Sequence, residues 1–155
     1  MNQQRRDMLR ISTVLGLAVA TGLMTPKDAR AAAEGWNSAA FDTKSLNDTI
    51  KALGGTTAAT SKDLVITAPD IAENGAVVPV AVSSSIPKTE SISILVEKNP
   101  NILAATFMIP AGTDPSVGTR VKMGQTSNVY ALIKADGKFY TAGKEIKVTL
   151  GGCGG

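Results

Sequence analysis

The chain has 155 residues, which is enough for one domain with a modest core. Its composition, 43% hydrophobic and 19% charged, is typical of a folded globular protein. It contains no histidine and a single cysteine, which excludes histidine-dependent triads, the usual zinc sites, an intrachain disulfide and cysteine-ligated clusters. We therefore expect no metal and no bound cofactor.

The first 31 residues have the three-part pattern of an export signal. Arg5 and Arg6 precede an apolar run over residues 11–24, which is too short for a permanent membrane helix. The Ala-Arg-Ala sequence at 29–31 supplies a small-residue cleavage site. The paired arginines resemble the twin-arginine type of signal, which carries folded proteins to the periplasm. The alternative for residues 1–31 is a basic amphipathic helix on a membrane surface.

The basic isoelectric point of about 9.1 comes from this leader. Residues 1–31 hold five basic and two acidic side chains, and the remaining residues hold eleven of each. The body of the protein is therefore neutral. A neutral body argues against nucleic acid as a partner, because binding to phosphates depends mainly on positive charge.

One short helix is expected before the first strand. Asp42 can cap its beginning, and Gly54-Gly55 can end it. Leu46, Ile50 and Leu53 fall at i, i+4 and i+7 and form one apolar stripe. We interpret this stripe as a face that docks on the core.

From residue 64 onward, short strands alternate with turn residues, a spacing typical of an antiparallel β-sandwich. Asp136-Gly137 is the clearest two-residue hairpin turn. Pro79 cannot donate a ladder hydrogen bond, so its strand is expected at an edge or with a bulge. The predicted strands are 64–68, 77–83, 91–97, 103–109, 119–124, 128–134, 138–141 and 145–150.

Two further features of the body have open interpretations. Arg120 and Lys122 alternate with Val121 and Met123, which indicates a strand with one wet face. Contact with an anion is the alternative to simple solvation of the two basic side chains. Trp36, before the helix, can either anchor its segment or face a partner.

The last residues of the sequence, Gly-Gly-Cys-Gly-Gly at 151–155, carry the strongest functional signal. Glycine has the largest entropy cost on ordering, so a flexible arm is expected. Cys153 would lie about 10 Å beyond Leu150 in an extended chain. The sequence near Cys153 offers no base to activate the thiol. We therefore expect this chain to supply a handle, while other proteins supply the catalysis.

Several alternatives compete for this cysteine. It can be incidental in a glycine tail, form a disulfide with a partner subunit, or ligate a metal shared with another chain. A periplasmic interaction or adhesion module would use the strand containing Pro79 or strand 145–150 to add to a partner sheet. A thiol enzyme would turn over unaided.

The tail resembles the swinging arm of the SoxY family, the sulfur carriers of bacterial thiosulfate oxidation. The leader and the stretches APDIAENG at 68–75, VEKNP at 96–100 and TRVKM at 119–123 resemble it as well. The resemblance implies an all-β, immunoglobulin-like antiparallel sandwich with a short N-terminal helix and a flexible C-terminal arm. The implied organisation is a cleaved twin-arginine signal over 1–31, the sandwich over 32–150 and the arm over 151–155.

The resemblance also implies a periplasmic covalent carrier that is not itself an enzyme. Cys153 would be the attachment point, with Gly151 and Gly152 as a hinge and Gly154 and Gly155 keeping the tip slim. A SoxZ-like subunit would form a heterodimer with this chain. SoxAX would join thiosulfate to the cysteine as an S-thiosulfonate, SoxB would release sulfate, and SoxCD in some organisms would oxidise the remaining sulfur.

Overall fold

The computed structural model describes residues 37–149, which form two β-sheets packed face to face and two short helices. The predicted β-sandwich with an N-terminal helix is confirmed. The elements are α1 (Ser38–Phe41), α2 (Leu46–Ala52), β1 (Ala58–Thr60), β2 (Leu64–Thr67), β3 (Ile71–Ala72), β4 (Val78–Ser84), β5 (Thr89–Val96), β6 (Leu103–Met108), β7 (Ser116–Val121), β8 (Ser127–Ala135) and β9 (Lys138–Val148).

The larger sheet has the order β1-β9-β8-β5-β6, and the smaller sheet has the order β2-β4-β7. Most neighbours are antiparallel, as predicted. However, β1 and β3 both pair with β9 in parallel, β1 along its first half and β3 at its end. These strands of three and two residues were not predicted, because so short a segment has no readable alternation.

The main core lies between the two sheets. Strand β4 alternates buried and open positions, since only one of its faces is covered. Strand β5 is instead buried at every position from Ile92 to Val96. Its second face is covered by a smaller cluster, in which Leu95 and Leu132 meet Ile50 of helix α2. The helices therefore close the outer face of the larger sheet.

Helix α2 begins at a different residue from the one predicted. Its N-cap is Ser45, whose Oγ accepts a hydrogen bond from the Asp48 N–H at 3.1 Å. The prediction of Asp42 as the cap is wrong because Asp42 directly follows α1, and its N–H donates to the Ser38 carbonyl. The predicted apolar stripe is confirmed: Ile50 is buried, and Leu46 and Leu53 pack against the same cluster.

The Asp136-Gly137 hairpin turn between β8 and β9 is confirmed, with φ of 49° and 73° at its two residues. The two strands predicted over 138–141 and 145–150 are wrong, because the structure has one continuous strand, β9. Gly143 does not interrupt it. Gly143 pairs with Tyr130 of β8, and the Tyr130 ring fills the space that a side chain at position 143 would need. An ideal Cβ on Gly143 would lie 2.9 Å from that ring.

Strand β4, which contains Pro79, is the central strand of the smaller sheet, and its register with β7 runs without a shift through Pro79, so the prediction of an edge strand or a bulge is wrong. The ladder with β2 stops at the Thr67–Ala81 pair, whereas the ladder with β7 continues through Pro79 and Arg120. Pro79 therefore has a strand partner on one side only. This is the local condition that proline requires.

Candidate functional site

The predicted site residues lie outside residues 37–149. These are Cys153, Gly151, Gly152, Gly154 and Gly155 of the arm and Arg5 and Arg6 of the leader; Trp36 also lies outside. The structure instead describes how β9, the strand that leads to Cys153, ends. The candidate site is therefore the set of residues around the end of β9, at 147–149.

Hydrogen bonds from two sides hold the end of β9. The Lys147 N–H donates to the Asp70 carbonyl at 3.0 Å, and the Thr149 N–H donates to the Ala72 carbonyl at 3.1 Å. Between them, the Val148 N–H donates to Thr126 Oγ1 at 3.0 Å. Three consecutive amides thus have fixed partners. We call residues 147–149 the arm root.

Residues 70–77, which include β3, accept the backbone hydrogen bonds of the arm root, and we call this segment the root loop. The root loop has fixed contacts of its own. The Met123 N–H donates to the Gly75 carbonyl at 2.7 Å. Asn74 closes a turn, with its Oδ1 accepting from the Ala76 N–H at 3.0 Å. Lys144 reaches the start of the loop, where it forms an ion pair with Asp70 at 3.0 Å.

Gly75 permits a close approach between the root loop, Met123 and the arm root. An ideal Cβ at this position would lie 2.3 Å from the Met123 carbonyl oxygen and 2.8 Å from Val148 Cγ1. The carbonyl belongs to the backbone and cannot rotate away as a side chain does. Glycine is therefore the residue that fits here.

The three stretches that carry the family resemblance come together at this end of the sandwich. Residues 68–75 include most of the root loop. Residues 119–123 end at Met123, whose N–H donates to Gly75 of that loop. Residues 96–100 join them through Asn99, whose Nδ2 donates to the Lys122 carbonyl at 2.8 Å. The sequence analysis identified the stretches separately. It did not predict that they meet around the arm root.

Thr126 and Gly75 are the residues that the sequence analysis missed. Thr126 lies between the predicted strands 119–124 and 128–134, and the sequence analysis gave it no role. Gly75 ends the family stretch 68–75, in which the sequence analysis gave it no role of its own. Their roles depend on contacts with residues about 20 and 50 positions away, which local periodicity does not report.

The alternating pattern at residues 120–123 is confirmed. Val121 and Met123 are buried, and Arg120 and Lys122 are exposed. Arg120 lines a shallow groove of about 410 Å³ on the smaller sheet, together with Pro69 and Pro79. A solvated face therefore remains the ordinary explanation of these two basic residues.

Two described groups have shifted acidities, and neither belongs to the arm root. Hydrogen bonds from Lys134 and from the Gly137 N–H lower the pKa of Glu90, which lies in β5 beside the turn between β8 and β9. Burial raises the pKa of Tyr130, and the nearby charge of Glu97 raises it further.

Within residues 37–149, no three His, Cys, Asp or Glu side chains lie close enough together to hold a metal ion. Neither helix in this part of the chain has the length and apolar character needed to cross a membrane.

Comparison with known proteins gives a consistent result. The family model described as "Sulfur oxidation protein SoxY" matches residues 50–153. Among solved structures, the sulfur carrier protein SoxY from Chlorobium limicola f thiosulfatophilum is 40% identical, with a TM-score of 0.62 over 68% of this chain and 96% of that one. A superoxide reductase (neelaredoxin) from Ignicoccus hospitalis is 22% identical, with a TM-score of 0.50 over 59% of this chain and 81% of that one, which is a likeness of fold alone. No curated protein matches.

Proposed function

This chain belongs to the SoxY family of sulfur oxidation proteins, and we propose on that basis that it is a sulfur-substrate carrier with Cys153 as its point of covalent attachment. The observation that carries the proposal is that the family match runs to residue 153 and so includes the cysteine. The protein would hold sulfur intermediates while other enzymes act on them. It would not be an enzyme itself.

The geometry of the arm root supports this role. Backbone hydrogen bonds fix the chain as far as Thr149, four residues before Cys153. Four residues in extended conformation span about 13–14 Å. This arrangement suits a carrier, because the hydrogen-bonded arm root limits the distance of the thiol from the sandwich. The four glycines around Cys153 would let the arm turn and enter a narrow active site.

The proposed chemistry balances as two steps on the sulfur of Cys153. In the first, the thiol and thiosulfate form an S–S bond, giving a cysteine S-thiosulfonate, one proton and two electrons. A haem enzyme of the SoxAX type accepts these electrons. In the second, water attacks the sulfonate sulfur, with SoxB as the hydrolase. The products are sulfate, two protons and a persulfide that stays on Cys153.

The remaining parts of the proposal concern location and partners. Residues 1–31, with Arg5 and Arg6, would direct export to the periplasm by the twin-arginine route and would be removed. A SoxZ-like subunit would form a heterodimer with the mature chain. SoxAX, SoxB and, where present, SoxCD would bind it transiently.

The alternative function, an interaction or adhesion module, requires that one of its two proposed contact strands has a free edge. Strand β4 lies between β2 and β7, and β9 lies between β8 and the short strands β1 and β3. Neither therefore offers a full open edge to a partner sheet, which strand addition requires.

The test is the intact mass of the protein purified from the periplasm of thiosulfate-grown cells without reductant, before and after a thiol reductant. We expect adducts of sulfane sulfur or thiosulfonate confined to Cys153, removed by reductant and missing from Cys153→Ala. A bare thiol at Cys153 in such cells would contradict the carrier function. Recovery of the protein from the cytoplasm with residues 1–31 intact would contradict the export proposal.

A further inference from the structure

Thr126 holds the arm root from the side opposite to the root loop. The ladder between β8 and β9 ends at the pair Ser127–Ile146, so no backbone pair of that ladder continues along the arm root. The Thr126 side chain takes the place of a further rung, because its Oγ1 accepts the Val148 N–H at 3.0 Å. Within residues 37–149, it is the only side chain that accepts a hydrogen bond from an amide of the arm root.

Hydrogen bonds on both sides keep a strand end from swinging within the plane of its sheet. On the root loop side, the amides of Lys147 and Thr149 donate to backbone carbonyls. On the opposite side the support is one hydroxyl, which a single substitution can remove. A strand end opens at a low cost in free energy, because few contacts hold it. The loss of one hydrogen bond shifts such an opening equilibrium about five- to tenfold, which is enough to make the open state common.

The Thr126 hydroxyl has a fixed position of its own. The side chain is partly buried and branched at Cβ, which restricts the rotation of the hydroxyl. The next residue, Ser127, is buried, and its Oγ accepts the Lys98 N–H at 3.0 Å and donates to the Asn128 carbonyl. Strand β8 and the turn after β5 therefore determine where Thr126 lies, and Thr126 in turn determines where Val148 lies.

We propose that Thr126 is a positioning residue for the loading of Cys153, because its hydroxyl fixes the direction in which the chain leaves the sandwich. This inference rests on the proposed carrier function and adds to it a residue that acts on the thiol through the arm root. If the arm root opens, the tether of Cys153 begins after Ile146 instead of Thr149 and lengthens from four residues to seven. The effective concentration of a tethered thiol at the active site of a bound enzyme then falls about twofold.

The experiment follows the arm directly, without an enzyme. Cys153 is the single cysteine of the chain, so a nitroxide label attaches there alone once the thiol is reduced. In the mature protein with its SoxZ-like subunit, the broadening of backbone amide signals by the nitroxide maps the region that the label visits. Thr126→Val and Thr126→Ala remove the hydroxyl, and Thr126→Ser keeps it. Thr141→Val is the matched control, because it removes a hydroxyl hydrogen bond of β9 that lies outside the arm root.

In Thr126→Val and Thr126→Ala, we expect the broadening to spread over more of the sandwich and the Val148 amide to exchange about five- to tenfold faster. In thiosulfate loading by a purified SoxAX-type haem enzyme, their kcat should fall about twofold with an unchanged KM for the carrier, since the tether changes and the surface that binds the enzyme does not. Thr126→Ser and Thr141→Val should match the unmodified protein in all three measurements. A residue that only stabilised the sandwich would lower the melting temperature without this separation of kcat from KM.

Unchanged broadening and exchange in both Thr126→Val and Thr126→Ala would overturn the positioning role and leave the carrier function standing. A loss of rate in Thr126→Ser equal to theirs would also overturn it, because the hydroxyl would then not be the cause. So would a changed broadening pattern with an unchanged kcat, since the direction of the arm would then not limit loading. If the unmodified protein is not loaded at all, or if Cys153→Ala is loaded equally well, the carrier function itself fails and the positioning role fails with it.

Discussion

Gly75 shows how one residue can determine the geometry of a site whose residues, 147–149, lie about 70 positions further along the chain. Its missing side chain lets the root loop lie against Met123 and Val148 at the same time. The sequence analysis placed Gly75 in a family stretch, but it could not predict this contact. Met123 is 48 positions further along the chain, and the approach depends on the packing of the two sheets.

We predict that Gly75→Ala destabilises the protein by about 1–3 kcal/mol, because the new Cβ would overlap a backbone carbonyl that must then move. The measurement is chemical denaturation combined with hydrogen exchange at the Val148 and Thr149 amides, which should exchange faster. Gly124→Ala is the matched control, since an ideal Cβ at Gly124 has nothing within 4 Å. Equal stability and equal exchange in both variants would contradict this account of how the root loop holds the arm root.

At the level of elements, the sequence predicted most strands of four residues or more, divided the longest, β9, into two, and missed β1 and β3, which have three and two residues. Strand β4 places a valine at every second position from 78 to 82, and such a period of two can be recognised without a structure. The parallel strands β1 and β3 form only because β9 already lies beside them. Strand β3 is nevertheless the element that holds the arm root, so the part of the fold nearest the site was the least predictable.

The start of helix α2 is a second place where the sequence prediction was wrong, because the N-cap was assigned to Asp42 instead of Ser45. Asp42 and Ser45 are both good N-cap residue types, but Ser45 also has an acidic residue three positions later. In the structure Ser45 and Asp48 bond to each other, with the Ser45 Oγ donating to Asp48 Oδ2 at 2.6 Å. The spacing of the capping pair was therefore the better signal.

This difference gives a prediction for helix α2. Ser45→Ala should lower the free energy of unfolding by about 1 kcal/mol, because the Asp48 N–H loses its acceptor. Asp42→Ala should change it by less than about 0.5 kcal/mol, since Asp42 is exposed and caps no helix start. Urea denaturation of the two variants checks both values. The assignment of the cap fails if Asp42→Ala is the more costly substitution.

At the scale of the whole molecule, the sequence predicted that the residues that stabilise the fold and the residues that carry the function lie in different parts of the chain. The apolar alternation predicted a sandwich between the leader and the arm, and both hydrophobic clusters of the structure lie within residues 40–148. The arm was identified from four glycines around one cysteine, a segment with no apolar alternation. The convergence of three distant stretches at the arm root is a property of the folded chain, so it required the structure.

This division predicts that deletion of residues 151–155 from the mature protein changes loading but not folding. The melting temperature should stay within about 1 °C, because the clusters and the hydrogen bonds of the arm root involve residues up to Thr149. Enzymatic attachment of thiosulfate should be abolished. Calorimetry and intact mass check the two results separately, and Cys153→Ala serves as the control with the arm present. A drop of several degrees in the truncated protein alone would mean that the arm also stabilises the sandwich, and the separation of carrier arm from support would then be wrong.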